Sequence, residues 1–394
     1  MSEKKYQVSI SRRDARSIKE TIKEAFDRLG GLDRFIQPGQ KIMIKPNYTG
    51  DLNPYDGSVT STGAQEGMIQ LLNDYGVTDI TIAEGCGTVH IGTSKIFEHV
   101  GLKDVAERYG VKLVDMNTCP MRDVSIPDAV FLKEVKLSEA LFGYDLIINM
   151  PVIKTHVQCV FTCAVKNMKG AVSPKGKRYF HATELHQCIA DFQLALPRNI
   201  VVVDGLIAQE GMGPAEGSPV PLDIIMVGEN PVAIDGVAMA IAQVDPEEVK
   251  HVVLAAKMGQ GSYHLDDIEV LGVPIEKITR KFKPAVTDIV SYEGVELYTD
   301  GSCSGCTNSL VIALNRMKNC GDLPKFEGLQ IKCGTGEPGC EAYKNMFYLG
   351  KCAHGIGRKE AETHENVHLI DGCAPSALEI EERIRQVYGI DRHT

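Results

Sequence analysis

The sequence of 394 residues predicts a mixed α/β protein, with a mainly parallel-sheet larger domain at 1–290 and a smaller C-terminal α/β domain at 291–394. Three observations point there. Apolar runs of strand length alternate with segments whose apolar residues recur every three or four positions, the pattern of strand–helix crossovers. Chemically distinctive stretches follow the strands, as expected where a parallel sheet gathers its C-terminal strand ends on one edge. In the last hundred residues, four apolar runs each lead to a cysteine.

In chain order, strand 7–11 precedes a helix at 13–29 with Ile18, Ile22, Ala25, Phe26 and Leu29 on one face. Strand 41–45 and a polar loop lead into helix 63–75, and strand 78–83 ends in EGCGT (Glu84–Thr88). Next are helix 95–109, strand 111–115, an irregular stretch with prolines, and strands 130–135 and 145–150. Helix 183–195, strands 199–203 and 223–228, and helices 232–242 and 246–258 complete the larger domain. The smaller domain reads as strands 295–298, 329–331, 346–349 and 367–370, with helices 307–318 and 376–388.

Hydrophobic residues make up 43% and charged residues 24% of the chain, the balance of an ordinary globular protein. A net charge of -10 argues against broad binding to nucleic acid or anionic membrane. MSEKKYQVSI lacks a signal-peptide core, and no run approaches the ~20 apolar residues that span a bilayer. The expected address is cytoplasmic, where twelve cysteines point to metal or redox chemistry rather than disulfides.

Cations stand out against this acidic chain after the strands: Lys45, Lys154, Lys166, Lys169, Lys175, Lys177 and Arg178. Lysines converging on one cleft, with amides from EGCGT and GMGPAEG, would bind a small carboxylate or phosphate. Lys175 to Arg178 read equally well as solvated loop residues. Lys154 and Lys166 lie in otherwise uncharged runs, where a buried ammonium requires a partner. Asn47, Asn149, Thr155, Asn167, Lys169 and Asp204 are the candidate substrate-binding residues beside Lys45. His156, His181 and Glu210, with Lys154 and Lys166, are the candidates for proton transfer, although either histidine could be structural and Asp204 or Glu210 could form a salt bridge only. Cys159 and Cys163, four residues apart, suit one helix face and core packing.

In the smaller domain, Cys303, Cys306, Cys352 and Cys373 should meet at the strand ends. Four thiolates flanked by Gly and Ala suit a [4Fe-4S] cluster; structural zinc and buried apolar thiols are the alternatives. Cys333 and Cys340 are reserve ligands. CxxC, GKCAxG (Gly350–Gly355) and GCAP (Gly372–Pro375) in that order resemble the proximal-cluster pattern of nickel–iron hydrogenase small subunits, with Ala374 where that pattern has proline. The resemblance implies cluster ligation, not hydrogenase activity.

Residues 40–272 resemble the family known as domain of unknown function 362. The match is carried by Lys45-Pro46-Asn47, Thr60-Ser61-Thr62, Asn149 with Pro151 and Lys154-Thr155-His156, and Lys166-Asn167 with Lys169-Gly170. His181, Asp204-Gly205, Glu210-Gly211 with Gly213-Pro214, and Pro231-Val232-Ala233 with Asp235 extend it. It implies a fold and a site without a substrate. The combined expectation is an iron–sulfur oxidoreductase acting on a small anionic substrate in a Lys/His-rich cleft beside the cluster, served by an electron donor such as a ferredoxin, with a homodimer in view. A non-redox lyase or hydratase and a non-catalytic cluster carrier are the alternatives.

Overall fold

The computed structural model describes residues 6–49, 55–87, 92–285, 292–337 and 344–391. The chain divides into two units, Met1–Val286 and Thr287–Thr394.

The first unit is organised by one sheet in the order β12-β1-β11-β10-β7-β2-β3-β4. Its strands are β1 (Tyr6–Arg12), β2 (Lys41–Lys45), β3 (Asp79–Glu84), β4 (Lys112–Asp115), β7 (Leu146–Asn149), β10 (Asn199–Met212), β11 (Glu216–Gly228) and β12 (Ile268–Gly272). β5 (Met121–Ser125) and β6 (Glu134–Ser138) form a separate antiparallel hairpin. β8 (Val152–His156) follows β7 after Met150 and Pro151, pairs in parallel with β10 with a register shift between Asp204 and Gln209, and turns back antiparallel into β9 (Val160–Thr162). The sheet is mainly parallel, with β11 running against both β1 and β10.

Successive strand side chains point to opposite faces. Ile42, Ile44, Ile80, Ile82 and Ile148 therefore enter a core with α1 (Ile18–Asp27), α2 (Thr62–Asp74), α3 (Thr93–His99) and α4 (Leu102–Tyr109). Met43, Ala83, Ile147, Val201 and Val203 enter the opposite core, with α7 (Leu185–Phe192), α8 (Pro231–Ala242) and α9 (Lys250–Lys257). α5 (Ala164–Asn167) and α6 (Pro174–Ala182) lie between β9 and α7.

The structure changes four local expectations. The first helix starts only at Ile18, because Ser17 caps it: the Ser17 side chain accepts from Glu20 N, and the Glu20 carboxylate accepts from Ser17 N. The helix expected over 95–109 is broken into α3 and α4, with Gly101 at φ 73° between them. The proline-containing stretch holds β5, and β6 lies several residues later than the strand expected at 130–135. Cys159 and Cys163 flank β9 in a hairpin instead of sharing a helix face. Here β-branched Val160 takes φ 62° and closes the turn.

The second unit holds four parallel strands in the order β13-β14-β15-β16: Val295–Tyr298, Leu329–Cys333, Asn345–Leu349 and Val367–Ile370. α10 (Ser304–Asn319) and α12 (Ala377–Tyr388) cover one face through Leu310, Leu314, Ile380 and Ile384. Buried Arg385 ties α12 down, donating to Asp322 at 2.8 Å and Glu381 at 3.0 Å. α11 (Gly350–Ala361) packs Ala353 with Met346 and Tyr348 in the smaller cluster. Three glycines in GKCAHGIG depress helix propensity and hid it from the sequence pattern.

Candidate functional site: a buried lysine pocket and a thiol-lined strand edge

Register places the first site. Lys45 at the end of β2 lies opposite Asn149 at the end of β7, and Glu84 ends the neighbouring β3. These are C-terminal ends of parallel strands, the edge where open α/β sheets build sites. Lys45 Nζ donates to Glu84 Oε2 at 2.6 Å, to Pro46 O at 2.8 Å and to Asn167 Oδ1 at 3.2 Å. Asn47 Nδ2 also donates to Asn167 Oδ1, at 3.0 Å. Asn167 Nδ2 donates to Asn149 Oδ1 at 2.8 Å, and Asn149 Nδ2 to Ala164 O at 3.1 Å. Lys154 Nζ completes the network through Asn47 Oδ1 at 2.5 Å and Ser58 O at 2.6 Å.

β8 carries Lys154 and His156 two residues apart, hence on one face. His156 Nδ1 accepts backbone N–H groups from Gln158 at 3.0 Å and Cys159 at 3.3 Å. Its neutral ring therefore carries the proton on Nε2 and acts as a donor. Ser173 caps α6, with Pro174 in the first turn, and one helical turn then separates Lys177 from His181. Lys177 Nζ donates to Gly85 O at 2.7 Å, Cys86 O at 3.2 Å and Asn117 Oδ1 at 2.7 Å. Lys169 Nζ meets His181 Nε2 at 2.6 Å.

Five lysines (Lys45, Lys154, Lys166, Lys169, Lys177) thus lie close enough to feel one another's charge, and Glu84, the one carboxylate ion-paired with any of them among the described residues, holds Lys45 and also reaches Lys154 and Lys177. Asp56 and Asp115 act on them at longer range. Burial drives every one of these ammonium groups below the ordinary lysine value: Lys154 to about 7, its neighbour Lys166 adding to the effect, and Lys177 to about 8. Lys45, Lys166 and Lys169 move in the same direction for the same reason. Burial likewise holds His156 and His181 neutral, with lysine charges reinforcing it. Lys166 is only partly buried, and no hydrogen bond or ion pair holds it among the described residues. Its charge reaches Lys154, His156, Lys169 and His181.

Two devices hold the turn that presents these groups. Asp235 on α8 accepts the Ala164 N–H at 2.6 Å and the Val165 N–H at 3.2 Å, fixing the start of α5 and so Lys166 and Asn167. Its complete burial raises its carboxyl to about 7. Gly170 supplies clearance: a Cβ there would stand 1.9 Å from Glu84 Oε1 and 2.9 Å from Lys45 Nζ.

Three expected site residues lie outside this network. Thr155 Oγ1 donates to Gly211 O at 2.8 Å. Asp204 accepts from Ser61 N at 2.8 Å and Leu206 N at 3.2 Å, anchoring the entry to α2. Glu210 accepts from Lys283 N at 3.0 Å and faces Arg280 and Lys283. The amides proposed for anion binding are partly engaged elsewhere, Gly85 N by Glu84, Cys86 N by Thr93, and Gly211 N by Lys283 O. Lys175 and Arg178 are exposed, whereas Lys177 between them is buried. Glu84 and Asp235 went unassigned in the sequence; an acidic residue ending a strand opposite a lysine strand end was the available signal for the first.

A third group was missed altogether. Cys159 between β8 and β9, His186 on α7 and His251 on α9 bring one ligand atom each to within 4.8 Å of one another, a candidate metal-binding group. The two imidazoles stack with centroids 5.8 Å apart.

In the second unit, Cys303 caps α10, Cys306 sits in its first turn, Cys333 ends β14, Cys352 lies in the first turn of α11, and Cys373 follows β16. The Cys306 thiol hydrogen-bonds Cys303, which with N–H groups of α10 lowers Cys303 to about 5. The charges of Cys303, Cys333 and Cys352 act on Cys306, and those of Cys303 and Cys373 act on Cys352. Gly350, at φ 77°, leaves space that a Cβ would fill 2.9 Å from Cys306 Sγ. Cys340 lies outside the described residues.

A mixed, mainly parallel α/β protein with a buried lysine and asparagine cluster at its strand ends is the class that fold and site define. Within that class, the chain belongs to the family described as "Domain of unknown function (DUF362)", whose pattern matches residues 42–240, half of the sequence. The chain is 25% identical over 257 residues to a thylakoid-associated protein of Synechocystis sp., covering 62% of this chain and 76% of that one. Among solved structures, a Thermotoga maritima protein aligns at 13% identity with a TM-score of 0.37, covering 61% of this chain and 59% of that chain. The lactate racemase apoprotein of Thermoanaerobacterium thermosaccharolyticum aligns at 11% identity and the same TM-score of 0.37, over 96% of this chain and 89% of that one. No helix among the described residues is long and apolar enough to cross a membrane.

Proposed function

We propose that the protein is an enzyme that binds a small carboxylate- or phosphate-bearing substrate in the lysine pocket, and that its second unit holds a [4Fe-4S] cluster. One observation carries the first statement. Five lysines close enough to feel one another's charge have one ion-paired carboxylate among the described residues, and it is held by Lys45; an uncompensated buried ammonium is costly enough that a bound anion is its natural partner. Lys166 is the cation placed to meet that anion, with Lys154 beside it and the His156 Nε2–H as an oriented donor. Lys154, lowered to about 7, supplies a group able to give or take a proton at working pH, and the Lys169–His181 contact lies in the same cluster.

Cys303, Cys306, Cys352 and Cys373 would hold the cluster, with Cys333 in reserve. The glycine clearance beside Cys306 and the mutual influence of the thiols fit a compact sulfur-bridged group needing close backbone approach. Bound there, the cluster would supply one-electron transfer, and the reading then calls for a donor of the ferredoxin class. This makes the protein an oxidoreductase.

Anaerobic purification with iron and sulfide analysis, electron paramagnetic resonance after reduction, and calorimetric titration with phosphate and small carboxylates test both halves. Iron and sulfide near four per chain, lost in Cys306→Ser and retained in Cys320→Ser, is the expected result. Colourless protein, or anion affinity unaltered by Lys166→Met, would overturn the corresponding half.

A further inference from the structure

We propose that Cys159, His186 and His251 bind one transition-metal ion of the zinc class through a thiolate and two imidazoles, leaving a fourth position for an anionic oxygen of the substrate. The three come from three separate elements, the β8–β9 turn, α7 and α9, with ligand atoms no more than 4.8 Å apart. Small rotations would bring them to the spacing set by Zn–S of about 2.3 Å and Zn–N of about 2.0–2.1 Å.

The second observation is independent of spacing. His251 is completely buried, and neither its Nδ1 nor its Nε2 has a hydrogen-bond partner; His186 Nδ1 is likewise unpartnered. A buried polar atom left unsatisfied costs about 1–3 kcal/mol. An aliphatic residue among Val252, Val253 and Ala255 would avoid that cost, so an imidazole in this position is explained by a ligand that uses its nitrogen. One soft sulfur and two nitrogens select zinc, cobalt or copper over magnesium or calcium, which require oxygen.

Charge decides the fourth ligand. Lys166 acts on Cys159, His186 and His251 alike, and Lys169 also acts on Cys159. This cationic surrounding opposes a bare dication, is offset by the thiolate, and favours an anion over neutral water at the open position. Three protein ligands with one exchangeable position is the arrangement of catalytic rather than structural zinc. The assignment of the fourth ligand rests on the anion-pocket reading; the assignment of the metal does not.

Cobalt(II) is the probe, added anaerobically to full-length Cys303→Ser/Cys306→Ser/Cys352→Ser/Cys373→Ser protein so that the four proposed cluster thiols do not compete. One equivalent should bind with a thiolate-to-cobalt charge-transfer band. Cys159→Ser should abolish the band, and His186→Gln should weaken binding by roughly 100-fold or more, with circular dichroism verifying the fold. Failure to bind cobalt, or a band that survives Cys159→Ser, overturns the metal site. Phosphate should then shift the ligand-field bands; bands indifferent to phosphate overturn the open position while leaving the metal and the lysine pocket to their own tests.

Discussion

The lysine pocket and the thiol edge both sit at C-terminal ends of parallel strands, yet they are built in opposite ways. Four successive strands of the second unit end in or near a cysteine, so regular topology alone brings sulfurs to one edge. The lysine cluster requires β2, β3 and β7 to be adjacent, β8 to continue from β7 along β10, and α5 and α6 to bring Asn167 and Lys177 to the strand ends. It is buried and cross-braced by asparagines, whereas Cys352 and Cys373 are exposed. Repetition can place like groups cheaply at a surface, but holding like charges together in a core takes long-range polar scaffolding.

The sharpest way to break this comparison is Glu84→Gln, which leaves Lys45 without its carboxylate. A loss of about 3–5 kcal/mol is expected, read by amide hydrogen exchange as lost protection in the first unit and not in the second. The loss should shrink as pH rises, because Lys45, which burial holds below the ordinary lysine value, gives up its proton sooner than a free lysine. Next in size, Gly170→Ala drives a Cβ against Glu84 and Lys45, with a cost of about 1–3 kcal/mol by denaturant titration; Gly355→Ala, where nothing lies within 4 Å, should be neutral or mildly stabilising.

Titration sharpens the comparison further. Lys154 and Lys177 have folded pKa values of about 7 and about 8, against 10.5 unfolded. Anion binding needs them charged, so phosphate affinity should fall by up to about tenfold per pH unit for each group as pH rises through 7 and 8. Stability moves the other way. The unfolded chain holds more protons than the folded one between these values and 10.5, so the first unit should gain stability as pH rises across that window. Affinity constant from pH 6 to 9 would detach these lysines from the anion site. The smallest effect is expected for Glu210→Gln, which faces the exposed Arg280 and Lys283 at 3.8 and 3.6 Å: a loss of about 1 kcal/mol or less, and unchanged phosphate affinity by calorimetry.

The residues show why part of this was legible. Lys45, Asn47, Asn149, Lys154, Asn167 and Lys169 stand at or just after strand ends, and a lysine in an apolar run announces a required partner. Glu210 lies next to Gln209, the strand partner of Lys154, near the tip of the long β10–β11 hairpin, but its carboxylate is turned to Lys283 and Arg280, a direction that a Gly-rich stretch read as a turn does not reveal. His186 and His251 were invisible for the opposite reason: each lies in an amphipathic helix, where a single histidine passes for packing.

Alternation of apolar residues, strand-length runs and the cysteine rhythm are local properties, and from them the sequence by itself determined the α/β class and most strands of both sheets, with β8, β9 and β12 missed. Which groups touch was decided only by the tertiary structure: Lys45 with Glu84, Asp235 with the α5 amides, Cys159 with His186 and His251. These partners lie tens of residues apart, and their meeting depends on strand order and on how the connections between strands return to the sheet edge. No local pattern encodes that, because side-chain periodicity selects a face while sheet order selects a neighbour.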